Sequence, residues 1–378
     1  MSASPQSMLR QPRGMVKING AAVQGWQLLE VSTNYFREAD TFNVTFHVGW
    51  LDSALNTTGF NTAWFCGQSK IGVEILAGFP SDPTNFTDSD IQSLIIGNVD
   101  KVDFDPVVRT LTLSGRDLTS LLIDAKTTEK FLNQTASDVA TLLANRHGLT
   151  PQVTATNGKI GSFYQIDHAA TTVAQTEWDF LCQIAQLTQN VVYVRGHILY
   201  FQPAPSLSSA TPYPIQWTPA NGQNPFQANV KGIRFSRTLT VGSTITVTVR
   251  SWHQGQAKGF SETYPPSKAK GIKPGTATEP AQNYLYVIGN LTQQQALQKA
   301  QAIYNEIIKN EMRMIYELPA DNILDITNLM QVSGTETPFD QGYFPDSITR
   351  RLSFTDGYTM EGSARNHSPN VEPAQISS

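Results

Sequence analysis

Two pairs of residues in the 378-residue chain have the types that bond-making chemistry uses. Asp103 and Asp105 stand two apart in a β-rich run, which puts both carboxylates on one face of a strand and could set up general acid and base work. Carboxylate pairs of that kind come from separate elements held at a set separation, and Pro106 follows directly, so a strand end is the preferred reading. Asp167-His168 supplies two members of a hydrolytic triad, but no activated Ser or Cys can be set beside it, and His168 reads as a turn residue. His47, His147, His168, His197, His253 and His367 are scattered, with no two at the i, i+3 or i, i+4 spacing that a helical metal site prefers. Cys66 and Cys182 are too few for a metal knuckle or a disulfide framework and read as two buried free thiols. HExxH, P-loop, GxSxG and strand-following GxGxxG patterns do not occur. The expectation is a protein that is not an enzyme and uses no cofactor and no metal.

Charge is the more informative property. Asp, Glu, Lys and Arg make up 15% of the residues, against roughly 25% in an average soluble domain, so much of the surface is neutral and polar. A formal net charge of -4 adds little self-repulsion, which suits a chain that assembles with others. The charge is also uneven. Between Val230 and Lys273 there are eight basic residues, Lys231, Arg234, Arg237, Arg250, Lys258, Lys268, Lys270 and Lys273, and a single acidic one, Glu262. Two readings fit: a surface that faces nucleic acid or an acidic partner, or a solvated strand and loop. Phe235, Trp252, Phe260 and Tyr264 are too irregularly placed for the stacking platform of a single-strand binder.

The elements that would position these residues follow from periodicity. Phe42, Val44, Phe46 and Val48 alternate with Thr41, Asn43, Thr45 and His47, which predicts a half-buried antiparallel strand. Runs of similar character at 16–23, 26–36, 70–77, 94–104 and 108–113, with no convincing helix before residue 116, predict an all-β block at 15–116 after a flexible arm at 1–14. A mixed α/β insert and linker is expected at 117–226. Asp117 can cap a short helix, Thr135 with Asp138 and Thr176 with Asp179 have capping spacing, and a hairpin follows over 191–201 with Arg195-Gly196 as its turn. Pro- and Ser-rich sequence from Pro203 to Pro225 reads as the linker. A second β block is expected at 227–366, with Ile245, Val247 and Val249 alternating with threonines, one long helix opened by Thr292 and Gln295, and a closing hairpin around Asp356-Gly357. Residues 367–378 read as a polar tail. The first 30 residues lack the apolar stretch of a signal peptide, and no run reaches the length of a membrane span, so assembly in a cytoplasm is expected.

These features in this order resemble a family. The strand Phe36 to Val48 with Glu38-Ala39-Asp40-Thr41-Phe42, the segment Val102 to Asp124 with Ser114-Gly115-Arg116-Asp117-Leu118, the capped helix Thr135 to Gly148, Glu177-Trp178-Asp179-Phe180-Leu181 with its hairpin, the helix from Thr292, and the hairpin from Gly342-Tyr343 to Gly357-Tyr358 are similar to baseplate hub proteins of contractile phage tails. That family, often called late control protein D, is itself similar to the amino-terminal half of type VI secretion spike proteins. The resemblance spans about residues 15 to 366, and order and spacing carry it more than any single motif.

The resemblance implies a mainly β fold: two β-barrel-like tube domains, here 15–116 and 227–366, flanking a mixed α/β region. It implies a homotrimer whose six tube domains form a ring matching the hexameric tail tube above, with the trimeric central spike below and other baseplate proteins at the periphery. Tape measure protein and DNA would touch the channel only transiently, and no membrane anchor is expected. The implied place is the baseplate of a virion assembled in a host bacterial cytoplasm. Because the chain stops at Ser378 after a short tail, its spike is expected to be a separate protein. In this setting the basic stretch is expected to be an assembly surface of the second tube domain, since a channel that passes DNA should not grip it. A reading from another class is a peptidoglycan- or glycan-binding component of a cell-wall-degrading machine, suggested by the low charge and a faintly LysM-like helix at Thr135 to Gly148.

Overall fold

Alternation builds the first sheet: Phe42, Val44 and Phe46 are buried, while Thr41, Asn43, Thr45 and His47 between them are half-buried. The computed structural model describes residues 11–129, 131, 134–157, 175–206, 208–238, 245–252, 259–265, 282–289, 291–308 and 311–366, which divide into two compact units. One unit runs to Pro203 and includes Glu317–Ile326 and Ser347–Gly362. Its strands are β1 (Arg13–Ile18), β2 (Ala21–Val23), β3 (Trp26–Asn34), β4 (Thr41–His47), β5 (Gly72–Gly78), β6 (Gln92–Asp105) and β7 (Thr110–Asp117). All are antiparallel, in the order β3-β4-β7-β6-β5-β1-β2, and Ser347–Ser353 adds to the free side of β3. Among the described residues no ladder joins β2 back to the far edge, so the ladder does not close into a complete barrel.

Two details differ from the sequence reading. The run at 16–23 is a hairpin, with Asn19 and Gly20 at φ 49° and 87° forming a turn between Ile18 and Ala21. Short helices also occur before residue 116, at Val48–Leu51 and Thr62–Gly67. One turn of helix is too short to display a 3.6-residue period, and the second is fixed by Asn61, whose side chain accepts the Trp64 N–H at 2.8 Å.

The long β6–β7 pair needs two glycines. A Cβ on Gly97 would lie 2.1 Å from the Arg116 carbonyl oxygen, and one on Gly115 would lie 2.1 Å from that of Asn98, so only hydrogen fits where the strands cross. At this crossing β6 bulges between Val99 and Lys101, just past its last pairing with β5 at Asn98 and Gly72.

The same unit holds the α/β elements. Helix Ala136–Arg146 opens with the expected Thr135–Asp138 capping box and gives way at Gly148, φ 71°. Helix Glu177–Leu187 is capped by Thr176, whose Oγ1 accepts the Asp179 N–H at 3.0 Å. Both helices bury one face, Val139, Leu143, Phe180 and Leu181 among others, against the hairpin Asn190–Arg195/Ile198–Pro203, which Thr150–Val153 extends in parallel. Arg195 pairs with Ile198, so the hairpin turn is Gly196-His197, one residue later than the sequence suggested. Gly196 takes the positive φ of 55° that a tight turn needs, and Arg195 stays in the strand.

The second unit contains Ala204–Tyr316, Thr327–Asp346 and the residues from Ser363. Its first strand, Pro212–Thr218, lies in the stretch read as linker. It pairs in parallel with Leu329–Ser333 and buries Ile215, its signal masked by two prolines that cannot donate to a ladder. Gly232–Arg237 pairs with Met312–Pro319. In a separate sheet Ile245–Ser251 lies between Phe260–Tyr264 and Gln282–Val287, and helix Gln293–Ile308 sets Ala296 and Ala300 on Val247 and Val249. Thr292 and Gln295 cap that helix reciprocally. The last strands, Gly342–Ser353 and Gly357–Arg365, have residues in both units, and Gly357 at φ 72° starts the return. The chain is thus mainly β, with helices gathered in α/β portions.

Candidate assembly site

The basic stretch is divided by the fold. Lys231, Arg234 and Arg237 lie on or next to the strand Gly232–Arg237, which among the described residues has a neighbour, Met312–Pro319, on one side only. Phe235 turns inward and stacks on Phe339 at 5.1 Å, so Arg234 and Ser236 on the alternate positions face outward and are exposed. Arg237 is held by Glu311, 3.0 Å from its guanidinium. Arg250 is exposed on a different sheet, on the face opposite Val247 and Val249. Lys258, Lys268, Lys270 and Lys273 lie outside the described residues, as does His168.

Carboxylates concentrate on the other long edge. From Asp100 to Asp105 strand β6 has left β5 and is bonded to β7 alone. Asp103 and Asp105 do not converge on a common point: Asp103 pairs with Lys101 at 2.7 Å, and Asp105 Oδ1 accepts the N–H groups of Val107 and Val108 at 2.8 and 2.9 Å to close the hairpin tip. Asp100 pairs with Arg116 at 2.7 Å. The tip is apolar and open, with Val107 89% and Phe104 45% exposed. Beside it is a groove of about 680 Å³ lined by Leu51, Asp52, Asn56, Thr62, Cys66 and Phe104, where the buried Thr62 hydroxyl has no hydrogen-bond partner in the protein. Cys66 is exposed and Cys182 half-buried, so the expectation of two buried thiols fails; Cys66, on the short helix Thr62–Gly67, faces an open groove.

Two buried ion clusters fix the framework. Asp40 is 7% exposed; its Oδ1 accepts the Asn34 N–H at 2.8 Å, and its Oδ2 meets Arg195 Nη1 at 2.5 Å. Arg195 also reaches Asp325 at 2.7 Å, and the buried Asp117 lies close enough to feel the Asp40 charge. Burial pushes the Asp40 carboxyl up to about 6 against the pull of Arg195, and burial followed by the Asp40 charge pushes Asp117 well above the usual carboxylate range. In the second cluster the buried Glu177 carboxylate binds Arg146 and His147, each at 2.5 Å, and Arg146 extends to Glu129 at 2.7 Å. Trp178 Nε1 donates to the Arg37 carbonyl at 3.0 Å.

None of these framework ions was singled out from sequence as a cluster. The available signal was a set of charged residues at element ends, Asp40, Asp117, Glu177 and Arg195, where isolated charges seldom become buried without partners. Among the described residues, no group of three His, Cys, Asp or Glu side chains could hold a metal, and no helix is long and apolar enough to cross a membrane.

Solved structures share this fold over nearly the whole chain. The tail protein from Neisseria meningitidis MC58 matches with a TM-score of 0.63 and 15% identity, covering 94% of this chain and 96% of its own. The 43 kDa tail protein of prophage MuSo2 from Shewanella oneidensis gives 0.61 and 16%, covering 94% and 98%. A chain of the half-lidded Francisella PdpA-VgrG complex gives 0.54 and 9%, covering 97% of this chain and 60% of that one. No protein-family model and no curated protein matches the chain. Its fold is therefore that of phage tail proteins, shared with a chain of that PdpA-VgrG complex.

Proposed function

We propose that the chain is the structural baseplate hub of a phage contractile tail, a trimeric ring adapting the hexameric tail tube to the trimeric central spike. The observation that carries this reading is the fold likeness to two tail proteins across 94% of the chain. Residues 15–116, with Ser347–Ser353 joined to their sheet, and the remainder of 227–366 would be the tube domains, with the insert at 117–226 turned toward other baseplate proteins. The same likeness favours a role in which the protein joins partners and catalyses nothing, placed in the virion. Strand edges that have no neighbour among the described residues and a low charge density support assembly.

Light scattering joined to electron microscopy tests the reading. The expected result is a ring of three times the chain mass of 41.6 kDa, alone or once tube or spike protein is added. A monomer under all these conditions that binds or lyses cell-wall sacculi would overturn it in favour of a glycan-directed component.

A further inference from the structure

The two free edges carry opposite charge. Asp100–Asp105 carries three carboxylates and one cation, Lys101, and Gly232–Arg237 carries two cations, Arg234 and Arg237, and no carboxylate. Each edge has a ladder on one side and unpaired backbone N–H and C=O groups on the other among the described residues, the arrangement that templates a further strand. We infer that these are mating edges: Asp100–Asp105 of one copy pairs with Gly232–Arg237 of the next, and the ring closes by repeating that single joint. The inference rests on the hub reading and names the surfaces through which it works.

Three observations select a second copy of this chain as the occupant. The segment Asp100–Asp105 keeps a net negative charge after its internal Lys101–Asp103 pair, and Gly232–Arg237 a net positive one, so the mixed pair is steered together in preference to acidic-to-acidic or basic-to-basic pairing. The edges are different surfaces of one chain, and a head-to-tail joint between different surfaces gives a ring where its rotation closes, whereas a self-complementary patch would give a two-fold dimer. Arg234 is exposed and has no ion-pair partner of its own among the described residues, so a carboxylate of a neighbour can reach it without displacing one. The exposed Phe104 and Val107 and the groove above Thr62 border the acidic edge and would be covered by the arriving strand.

Charge exchange is the decisive experiment, read by sedimentation velocity of the full chain at low and high salt. Arg234→Glu with Arg237→Glu, and separately Asp103→Lys with Asp105→Lys, should each weaken association at least ten-fold. The chain carrying all four changes should recover assembly to within a few-fold of the original. Near-UV circular dichroism checks that each variant is folded, and Arg234→Gln with Asp103→Asn provides a milder pair if a reversal does not fold. Pairs that associate as tightly as the original, or a folded four-fold exchange that fails to recover, overturn the joint while leaving the trimer standing. An original chain that stays monomeric with tube and spike present overturns the hub reading itself.

Discussion

Arg195 Nη1 stands 2.5 Å from Asp40 Oδ2, joining a hairpin end to a residue 155 positions earlier in the chain, while Nη2 holds Asp325, 130 positions later. Removing one partner from a buried ion pair leaves an uncompensated charge, a loss of about 3–5 kcal/mol. Arg195→Met should therefore destabilise the unit by that order in urea unfolding followed by tryptophan fluorescence. A loss near zero would mean that water reaches Asp40 freely.

The same cluster sets a pH dependence. Asp40, raised from 3.8 to about 6, and Asp117, raised well above 3.8, hold protons in the folded chain that the unfolded chain has released. Stability therefore falls as pH rises from about 4 through 6, by up to about 1.4 kcal/mol per pH unit per proton. Carboxyls lowered by capping bonds, such as Asp90 and Asp138, act oppositely, and their contribution is lost as pH falls from about 3.8 through their own lower values. Melting temperatures should thus decline between about pH 4 and 6, and Asp117→Asn should flatten the decline; a wild-type curve that climbs over that window contradicts the assignment.

Gly97→Ala and Gly115→Ala each place a methyl group 2.1 Å from a carbonyl oxygen across the strand pair. Neither backbone can yield without opening the β6–β7 ladder, so each change should cost several kcal/mol or prevent folding. Gly20→Ala, where nothing lies within 4 Å, should cost about 1 kcal/mol through its positive φ alone. Comparing the three midpoints in denaturant separates close approach from backbone preference.

Thr135→Ala removes the hydroxyl that accepts the Asp138 N–H at 3.1 Å and half of a capping box. The expected loss is about 1 kcal/mol, with fraying of helix Ala136–Arg146 visible in hydrogen exchange. Equal exchange in both proteins would mean that tertiary packing alone holds the first turn.

Local chemistry was readable where neighbours in sequence are neighbours in space. Strand β4, the caps at Thr135, Thr176 and Thr292, and the glycine stop at Gly148 all stand where residue type and spacing put them. The hairpin at Asn19-Gly20 carried a turn signal that the apolar run around it obscured. What stayed hidden depends on distance: the Arg195 clamp joins residues more than a hundred positions apart, and Pro212–Thr218 becomes a strand only because Leu329–Ser333 arrives beside it. The charge bias of 230–273 was visible, but only the ladders showed that Arg234 and Arg237 lie on a strand with one neighbour among the described residues while Arg250 belongs to another sheet. The acidic edge of β6 was read as an isolated carboxylate pair because its openness is set by where β5 stops.

The two thiols differ in a way that turns one of them into a reporter. Burial pushes the Cys182 thiol up to about 12, so it remains protonated and unreactive at neutral pH, whereas Cys66 is exposed at the rim of the groove next to Phe104. A maleimide dye added to the native chain should therefore attach at one place without any engineered cysteine. Its colour and rotational freedom would then follow the acidic edge as copies come together, letting the kinetics of ring formation be watched in an unmodified sequence.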